Sequence, residues 1–151
     1  MGLYLILTTL LVAIDQITKY LTVQNIELYE VIEVVPKLLS FTYIQNTGAA
    51  WSILEGQMWF FYIVTIFVIA FLLYYIYTEA KTDRILGIIL SVILAGTIGN
   101  FIDRLVFQYV IDMIKVEFIK FPIFNVADMF LTVGVVVLMI YTIYEDRNTT
   151  N

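Results

Sequence analysis

The sequence predicts an α-helical membrane protein with four transmembrane helices and a small β-sheet subdomain, and three observations lead there. Of the 151 residues 62% are hydrophobic and 14% charged, with a mean hydropathy of +0.93, far from the composition of a soluble domain. Stretches of about 20 apolar residues, the length that crosses a hydrocarbon core roughly 30 Å thick, recur along the chain. A long connection rich in β-branched residues separates the first of these from the second.

The elements follow in order. The first span covers about residues 3–23; it starts apolar at once, without the basic flank or small-residue cleavage site of a secretory signal peptide, and reads as retained. Residues 24–57 form the first polar excursion, where "ELYEVIEVVPKLLSFTYIQNTGAAWSI" suggests short strands with turns at Pro36 and around Gly48. The second span, about 58–77, and the third, about 84–106, flank the short polar turn "TEAKTDR" and are expected as antiparallel neighbours. Residues 107–124 make the second excursion, on the same side as the first, and the fourth span covers about 125–144. The tail "EDRNTTN" is expected to fray. The whole chain, 1–151, reads as a single integral-membrane domain, with both termini on one side.

Composition removes several function classes. A net charge of −5 and a pI near 4.5 lack the basic stripe that phosphate binding needs, so nucleic acid is not an expected partner. The chain has no cysteine and no histidine, which excludes disulfides, thiolate chemistry, a thiol nucleophile and the commonest general base and zinc ligand. No metal or other cofactor is expected. Any catalysis falls to Asp, Glu, Lys, Ser, Thr or Tyr.

Charged groups inside a span cost roughly 2.5–3.5 kcal/mol each on translocon scales, so such residues are expected to have a partner and often a task. Asp15 and Lys19 are spaced i, i+4 on the first span and can pair. On the third, Gly96, Asn100, Asp103 and Arg104 fall on one helical stripe, beside a second stripe of small residues, Gly87, Ser91, Ala95 and Gly99, that admits a neighbouring helix. Asn125 and Asp128 are i, i+3 neighbours in the expected first turn of the fourth span, where the helix dipole favours an anion. All these residues, with Asp112, lie toward the membrane face that carries the excursions.

Two readings compete for them. Asp15 with Lys19, and Asp103 with Arg104 or a neighbouring helix, serve as structural ion pairs that fix register, and Asn100 and Asn125 either bond between helices or touch a substrate. If Arg104 is assigned to Asp103, Asp112 and Asp128 are left with no basic group near the bundle except Lys19, Lys115 or Lys120. Two carboxylates brought close at a membrane interface share a proton, the electrostatic state of an aspartic protease; the alternative is a pair of solvated loop carboxylates.

Five ordered blocks resemble one family, the lipoprotein signal peptidases (signal peptidase II): "DQITK" at Asp15–Lys19, "NTGAAW" at Asn46–Trp51, "GTIGNFIDR" at Gly96–Arg104, "VID" at Val110–Asp112 and "FNVAD" at Phe124–Asp128. The resemblance spans nearly the whole chain. It implies an intramembrane aspartic endopeptidase that removes signal peptides from bacterial prolipoproteins by cutting before the diacylglyceryl-modified cysteine. Asp112 and Asp128 match the catalytic pair. Asn46, Gly48, Ala50, Asn100, Arg104, Asn125 and Ala127 match substrate-binding or supporting positions, and Asp15, Lys19, Gly96 and Asp103 match structural polar ones.

The resemblance also implies a bacterial cytoplasmic membrane location, cytoplasmic termini, and a sheet and active site toward the extracytoplasmic face. Charge leaves that sign open, since Lys81, Arg84 and Arg147 on one side balance Lys37, Lys115 and Lys120 on the other. The expected partners are the lipid-modified prolipoprotein and membrane lipids, with the enzyme a monomer. Met113, Met129 and Trp51 depart from residues common in the family and bear on pocket shape, not on titrating groups. Trp51, Trp59 and Phe60 either face lipid or seat acyl chains. The rivals are a serine protease using Ser40, Ser52 or Ser91 with a lysine base, and a non-enzymatic membrane scaffold or ion-conducting subunit.

Overall fold

The computed structural model describes residues 1–48 and 54–149. Its elements follow as α1 (Gly2–Asn25), β1 (Val31–Val35), β2 (Leu39–Asn46), α2 (Met58–Thr78), α3 (Arg84–Phe107), β3 (Val110–Val116) and α4 (Val126–Thr149). Among the described residues, four helices are long and apolar enough to cross a membrane. They match the stretches expected from sequence to within one or two residues, except that α4 runs on to Thr149, so most of the tail expected to fray is helical.

Burial is inverted relative to a soluble protein. Phe67 on α2 is 72% exposed while Lys19 on α1 is 2% exposed, the arrangement expected when the outer solvent is hydrocarbon. Lipid is as apolar as leucine, so close packing and interhelical hydrogen bonds hold such helices together. The small residues of α3 meet that need: a Cβ at Gly87 would lie 2.5 Å from the Tyr4 ring, and one at Gly99 2.5 Å from Asp15 Oδ2. Thus α1 lies along the Gly87–Ser91–Ala95–Gly99 row. On the adjoining stripe, a Cβ at Gly96 would collide with the Ala127 carbonyl, which is where α4 approaches. Packed against α1, α2 and α4, α3 is the buried centre of the bundle.

The two ends of the bundle differ in chemistry. At one end Tyr4, Leu72, Ile76, Ala80, Leu90 and Leu94 form an apolar core; there the Tyr4 hydroxyl donates to the Ala80 carbonyl at 2.9 Å. Asp83 caps α3 through the Leu86 N–H at 2.9 Å and accepts the Tyr141 hydroxyl of α4 at 2.6 Å. At the other end lie Asp15 and Lys19 of α1 and Asp103 and Arg104 of α3, and the sheet begins.

The sheet has the order β1-β2-β3 with antiparallel neighbours. Only β1 and β2 come from the first excursion. The third strand is the segment after α3, a stretch with no strand expected from its sequence, and its pairing to β2 joins the two excursions. Pro36 does sit in the β1–β2 turn, with Lys37 at φ 59. Between β2 and β3 the register slips: Phe41 pairs Ile114, but Ile44 pairs Asp112, a bulge that leaves two residues of β2 opposite Met113 alone and re-aims the strand at Asp112.

Candidate active site

Lys19 occupies a polar knot between α1 and α3. Its Nζ lies 2.9 Å from Asp15 Oδ2 and 2.9 Å from Asp103 Oδ2, and it donates to Asn100 Oδ1 at 3.1 Å. Six residues before the end of α1, it sits about 9 Å along the axis from that end. The three acceptors match the three protons of an ammonium, which is how a buried lysine is satisfied. Of the two partners expected for Asp103, Arg104 or a neighbouring helix, the structure takes the second: Asp103 pairs with Lys19 of α1, because successive residues on a helix point about 100° apart and Asp103 faces α1.

Each carboxylate of this knot also holds a backbone amide. Asp15 Oδ1 accepts the N–H of Ala127 at 2.8 Å, and Asp103 Oδ2 accepts the N–H of Ile111 at 3.0 Å. These amides immediately precede Asp128 and Asp112. Two buried ion pairs on α1 and α3 thus anchor the start of α4 and strand β3.

Asp112 and Asp128 are brought together in two steps. Strand β3 is bridged to the segment before α4, with Ile114 N–H donating to Phe124 O at 2.8 Å and Phe124 N–H to Ile114 O at 3.1 Å, which closes the intervening loop. The next residue, Asn125, is the N-cap of α4, and not part of its first turn as the sequence suggests. Its Oδ1 accepts Asp128 N–H at 2.9 Å while Asp128 Oδ2 accepts Asn125 N–H at 3.2 Å, a reciprocal capping box that fixes the Asp128 side chain.

Two amides then connect the carboxylates. Asn100 Nδ2 donates to Asp128 Oδ1 at 2.7 Å, Asn125 Nδ2 donates to Asp112 Oδ1 at 2.7 Å, and Asn125 Nδ2 also reaches Asn100 Oδ1 at 3.1 Å. From β2, Asn46 donates to Asp112 Oδ2 at 2.9 Å and accepts the Gly48 N–H at 2.9 Å. Asp112 is 2% exposed. Burial, and then the charge of Asp128, push its carboxyl up to about 7, against the amides of Asn46 and Asn125 and the charge of Lys19.

Arg104 faces a cavity of about 320 Å³ between α2, α3 and α4, lined among others by Val64, Val68, Thr97, Asn100 and Asp128. Its guanidinium donates to Gly48 O at 3.1 Å and Asn100 O at 3.4 Å and lies 4.5 Å from the centre of the Phe61 ring. Its buried Nε has no hydrogen-bond partner among the described residues. A second, more apolar recess of about 520 Å³, lined by Phe121, Phe124, Met129, Thr132 and Val133, also reaches Asp128.

The expected site residues therefore gather at one end of the bundle: Asn46, Gly48, Asn100, Arg104, Asp112, Asn125, Ala127 and Asp128 around the carboxylates, with Asp15, Lys19, Gly96 and Asp103 behind them. Ala50, Trp51 and Ser52 lie outside the described residues. Trp59 is 63% exposed, and its indole N–H donates to the Gln57 side chain at 3.0 Å. Met113 is buried beside Tyr43 and Ile111. Ser91 donates to the Gly87 carbonyl at 2.6 Å and Ser40 to Glu117 at 2.8 Å. Lys115 pairs with Glu117 at 3.0 Å.

Two members of the site escape the sequence reading. Gln16 donates to Asp15, to Asp103 and to the Gly99 carbonyl at 3.0–3.2 Å; its i, i+3 spacing from Lys19 was the available signal. Tyr62 on α2 donates to the Arg104 carbonyl at 2.8 Å and accepts Gln108 Nε2 at 2.6 Å, holding the end of α3 where Gln108 turns left-handed at φ 66. No sequence pattern marks it.

A model of the family described as signal peptidase (SPase) II matches residues 7–144. The chain belongs to the signal peptidase II family. It is 48% identical over 148 residues to a lipoprotein signal peptidase of Listeria monocytogenes serotype 4a (strain HCC23), covering 97% of this chain and 96% of that one. It is 49% identical over 144 residues to a lipoprotein signal peptidase of Enterococcus faecalis (strain ATCC 700802 / V583), covering 95% and 89%. Two solved bacterial membrane enzymes share its fold, one with TM-score 0.93 and 36% identity over 98% of this chain and 92% of that one. The other has TM-score 0.86 and 37% identity over 94% and 93%. As a signal peptidase II it is a membrane protease that cleaves signal peptides from prolipoproteins, and the scaffold or ion-conducting alternative is not favoured.

Proposed function

We propose that this signal peptidase II is an aspartic endopeptidase in which Asp112 and Asp128 activate a water between them. The observation that carries this reading is the amide bridge: Asn100 and Asn125 join the two carboxylates through hydrogen bonds, and Asp128 lines the two cavities beside them. One carboxylate, ionised, takes a proton from water as the oxygen attacks the scissile carbonyl; the other, protonated, gives its proton to the carbonyl oxygen. The tetrahedral diol then collapses, its C–N bond breaks, and the leaving amine takes up a proton from the dyad. No metal is required for this balance.

The substrate in this reading carries a diacylglyceryl-modified cysteine, and the bond cut lies just before it. The apolar recess beside Phe121, Phe124 and Met129 suits an acyl chain, and the cavity beside Val64 and Val68 suits an apolar signal segment. Arg104 Nε and the amide of Asn46 stand ready for substrate carbonyls. Substrate arrives by diffusion within the bilayer, and a site that excludes bulk water strengthens each electrostatic contact.

In this reading the enzyme is a monomer, and the dyad and its supports lie within one chain. It sits in the bacterial cytoplasmic membrane with both termini cytoplasmic and the sheet outward. A serine mechanism has little support: Ser91 is enclosed in helix packing, Ser40 binds Glu117, and neither has a lysine partner among its hydrogen bonds. The test is cleavage of a diacylglyceryl-modified prolipoprotein by purified enzyme. Asp112→Asn and Asp128→Asn are each expected to abolish processing while the protein stays folded, and Ser40→Ala to process normally; full activity in either aspartate variant would refute the reading.

A further inference from the structure

Lys19 touches neither Asp112 nor Asp128 by hydrogen bond, yet it stands at the head of the chain of hydrogen bonds that reaches both. An ammonium has only protons to give, so Asn100 must turn its oxygen to Lys19, at 3.1 Å. Its NH2 is thereby directed to Asp128 Oδ1, at 2.7 Å. With the Asn100 oxygen fixed, Asn125 can approach it only with its own NH2, at 3.1 Å, and that same nitrogen meets Asp112 Oδ1 at 2.7 Å. The capping box independently claims the Asn125 oxygen for Asp128 N–H.

We infer that Lys19 is the positioning residue that, by holding the Asn100 oxygen, directs the Asn100 N–H to Asp128, while the capping box directs the Asn125 N–H to Asp112. The ion pairs with Asp15 and Asp103 are then the means of holding this ammonium in place inside the bundle. The inference rests on Asp112 and Asp128 being the reacting pair. Without Lys19 the Asn100 oxygen is held by the Asn125 N–H alone, so the hold on the Asn100 N–H that meets Asp128 is weakened, and the ionised dyad loses a nearby positive charge as well. Both losses disfavour the ionised dyad.

Among the described residues, the charged and titratable groups facing Asp112 are Asp128 from α4, Lys19 from α1 and Arg104 from α3, with Glu55 and Asp112 together lining a small cavity beside β2 and Asp15 and Asp103 behind Lys19. The variant Lys19→Met alone leaves two buried carboxylates without a counter-ion and risks misfolding. The double variant Lys19→Met/Asp15→Asn removes one charge of each sign and keeps an oxygen for the Ala127 N–H, so it isolates the direction-setting role. A second control, Asp15→Asn, retains Lys19 and hence the Asn100 orientation.

The readout is the pH dependence of kcat/KM for cleavage of a diacylglyceryl-modified prolipoprotein in detergent micelles, with thermal melting of each variant. The double variant, with no change in net charge behind the dyad, is expected to move the acid limb upward by about one pH unit, the order of shift that follows weakening of a hydrogen bond to an ionised carboxylate, while Asp15→Asn leaves it in place or moves it downward. An acid limb at the wild-type pH in the double variant overturns the inference, as does an equal upward shift in Asp15→Asn, which would assign the effect to packing. Should Asp112→Asn or Asp128→Asn cleave at the wild-type rate, the dyad itself is wrong and the inference goes with it. If both are inactive and the acid limb is unmoved, only the role of Lys19 fails.

Discussion

The Asp15 carboxylate on the first helix accepts the backbone N–H of Ala127 at 2.8 Å, across 112 positions of sequence. That single contact ties the first transmembrane helix to the start of the last, one residue before Asp128. Asp103 makes the equivalent contact to Ile111, one residue before Asp112. The strand that carries Asp112 and the helix that carries Asp128 are thus held from behind by carboxylates that share one lysine.

Removing the first tether has a measurable cost. Asp15→Ala deletes the acceptor for Ala127 and one partner of Lys19, and is expected to lower stability by about 1–3 kcal/mol, the penalty for a buried donor left unpaired. Asp15→Asn, which keeps an oxygen in place, should recover part of it. Thermal unfolding in a fixed detergent compares the two; equal melting temperatures for wild type and Asp15→Ala would count against the tether.

Close helix approach makes a second prediction. At Gly96 a methyl group would meet the Ala127 main chain, which cannot move without dragging α4, whereas at Gly134 the nearest atom is the Ile93 side chain, 2.5 Å away, which can rotate. Gly96→Ala is expected to destabilise by about 3 kcal/mol or more, and Gly134→Ala by about 1 kcal/mol. Unfolding curves that rank the two variants the other way would show that α4 is not seated as described.

Stability should depend on pH through Asp112. Burial and the charge of Asp128 push its folded carboxyl up to about 7 from the ordinary aspartate value of 3.8 that the unfolded chain shows, so between those values the unfolded chain holds fewer protons than the native one. Native stability contributed by this group is therefore greatest below about pH 4, falls as pH rises toward 7, and is level above. The loss is on the order of 4 kcal/mol over that range. Melting temperatures measured from pH 5 to pH 8 should fall for wild type and fall less for Asp112→Asn; parallel curves would mean that Asp112 is not the source.

Arg104 should act on substrate binding more than on the chemical step, since it faces the cavity with an Nε that has no hydrogen-bond partner among the described residues and is fixed by Gly48 O and the Phe61 ring. Arg104→Ala is expected to raise KM by about tenfold, roughly 1.4 kcal/mol. Arg104→Lys should not restore it, because an ammonium lacks the planar fork and the stacking face. Steady-state kinetics with a lipid-modified substrate decide this, and a kcat loss at constant KM would point to a different role.

The sequence by itself determined the parts whose cause is local. Runs of about 20 apolar residues fixed the four helices, Pro36 marked its turn, and the i, i+4 spacing of Asp15 and Lys19 showed one ion pair, because hydrophobic period and helical spacing act over a single turn or span. The stripe on α3 and the ordered motif blocks also named the residues that gather at the site.

Tertiary structure alone decided who partners whom. Arg104 and Asp103 are neighbours in sequence, but helical rotation sends one to a cavity and the other to Lys19 on a different helix. The third strand exists because β2 offers an edge to pair with, and Tyr62 joined the site because α2 passes the end of α3. These outcomes follow from the docking of distant segments, where the demand that every buried donor and acceptor be satisfied selects among partners that spacing leaves equivalent.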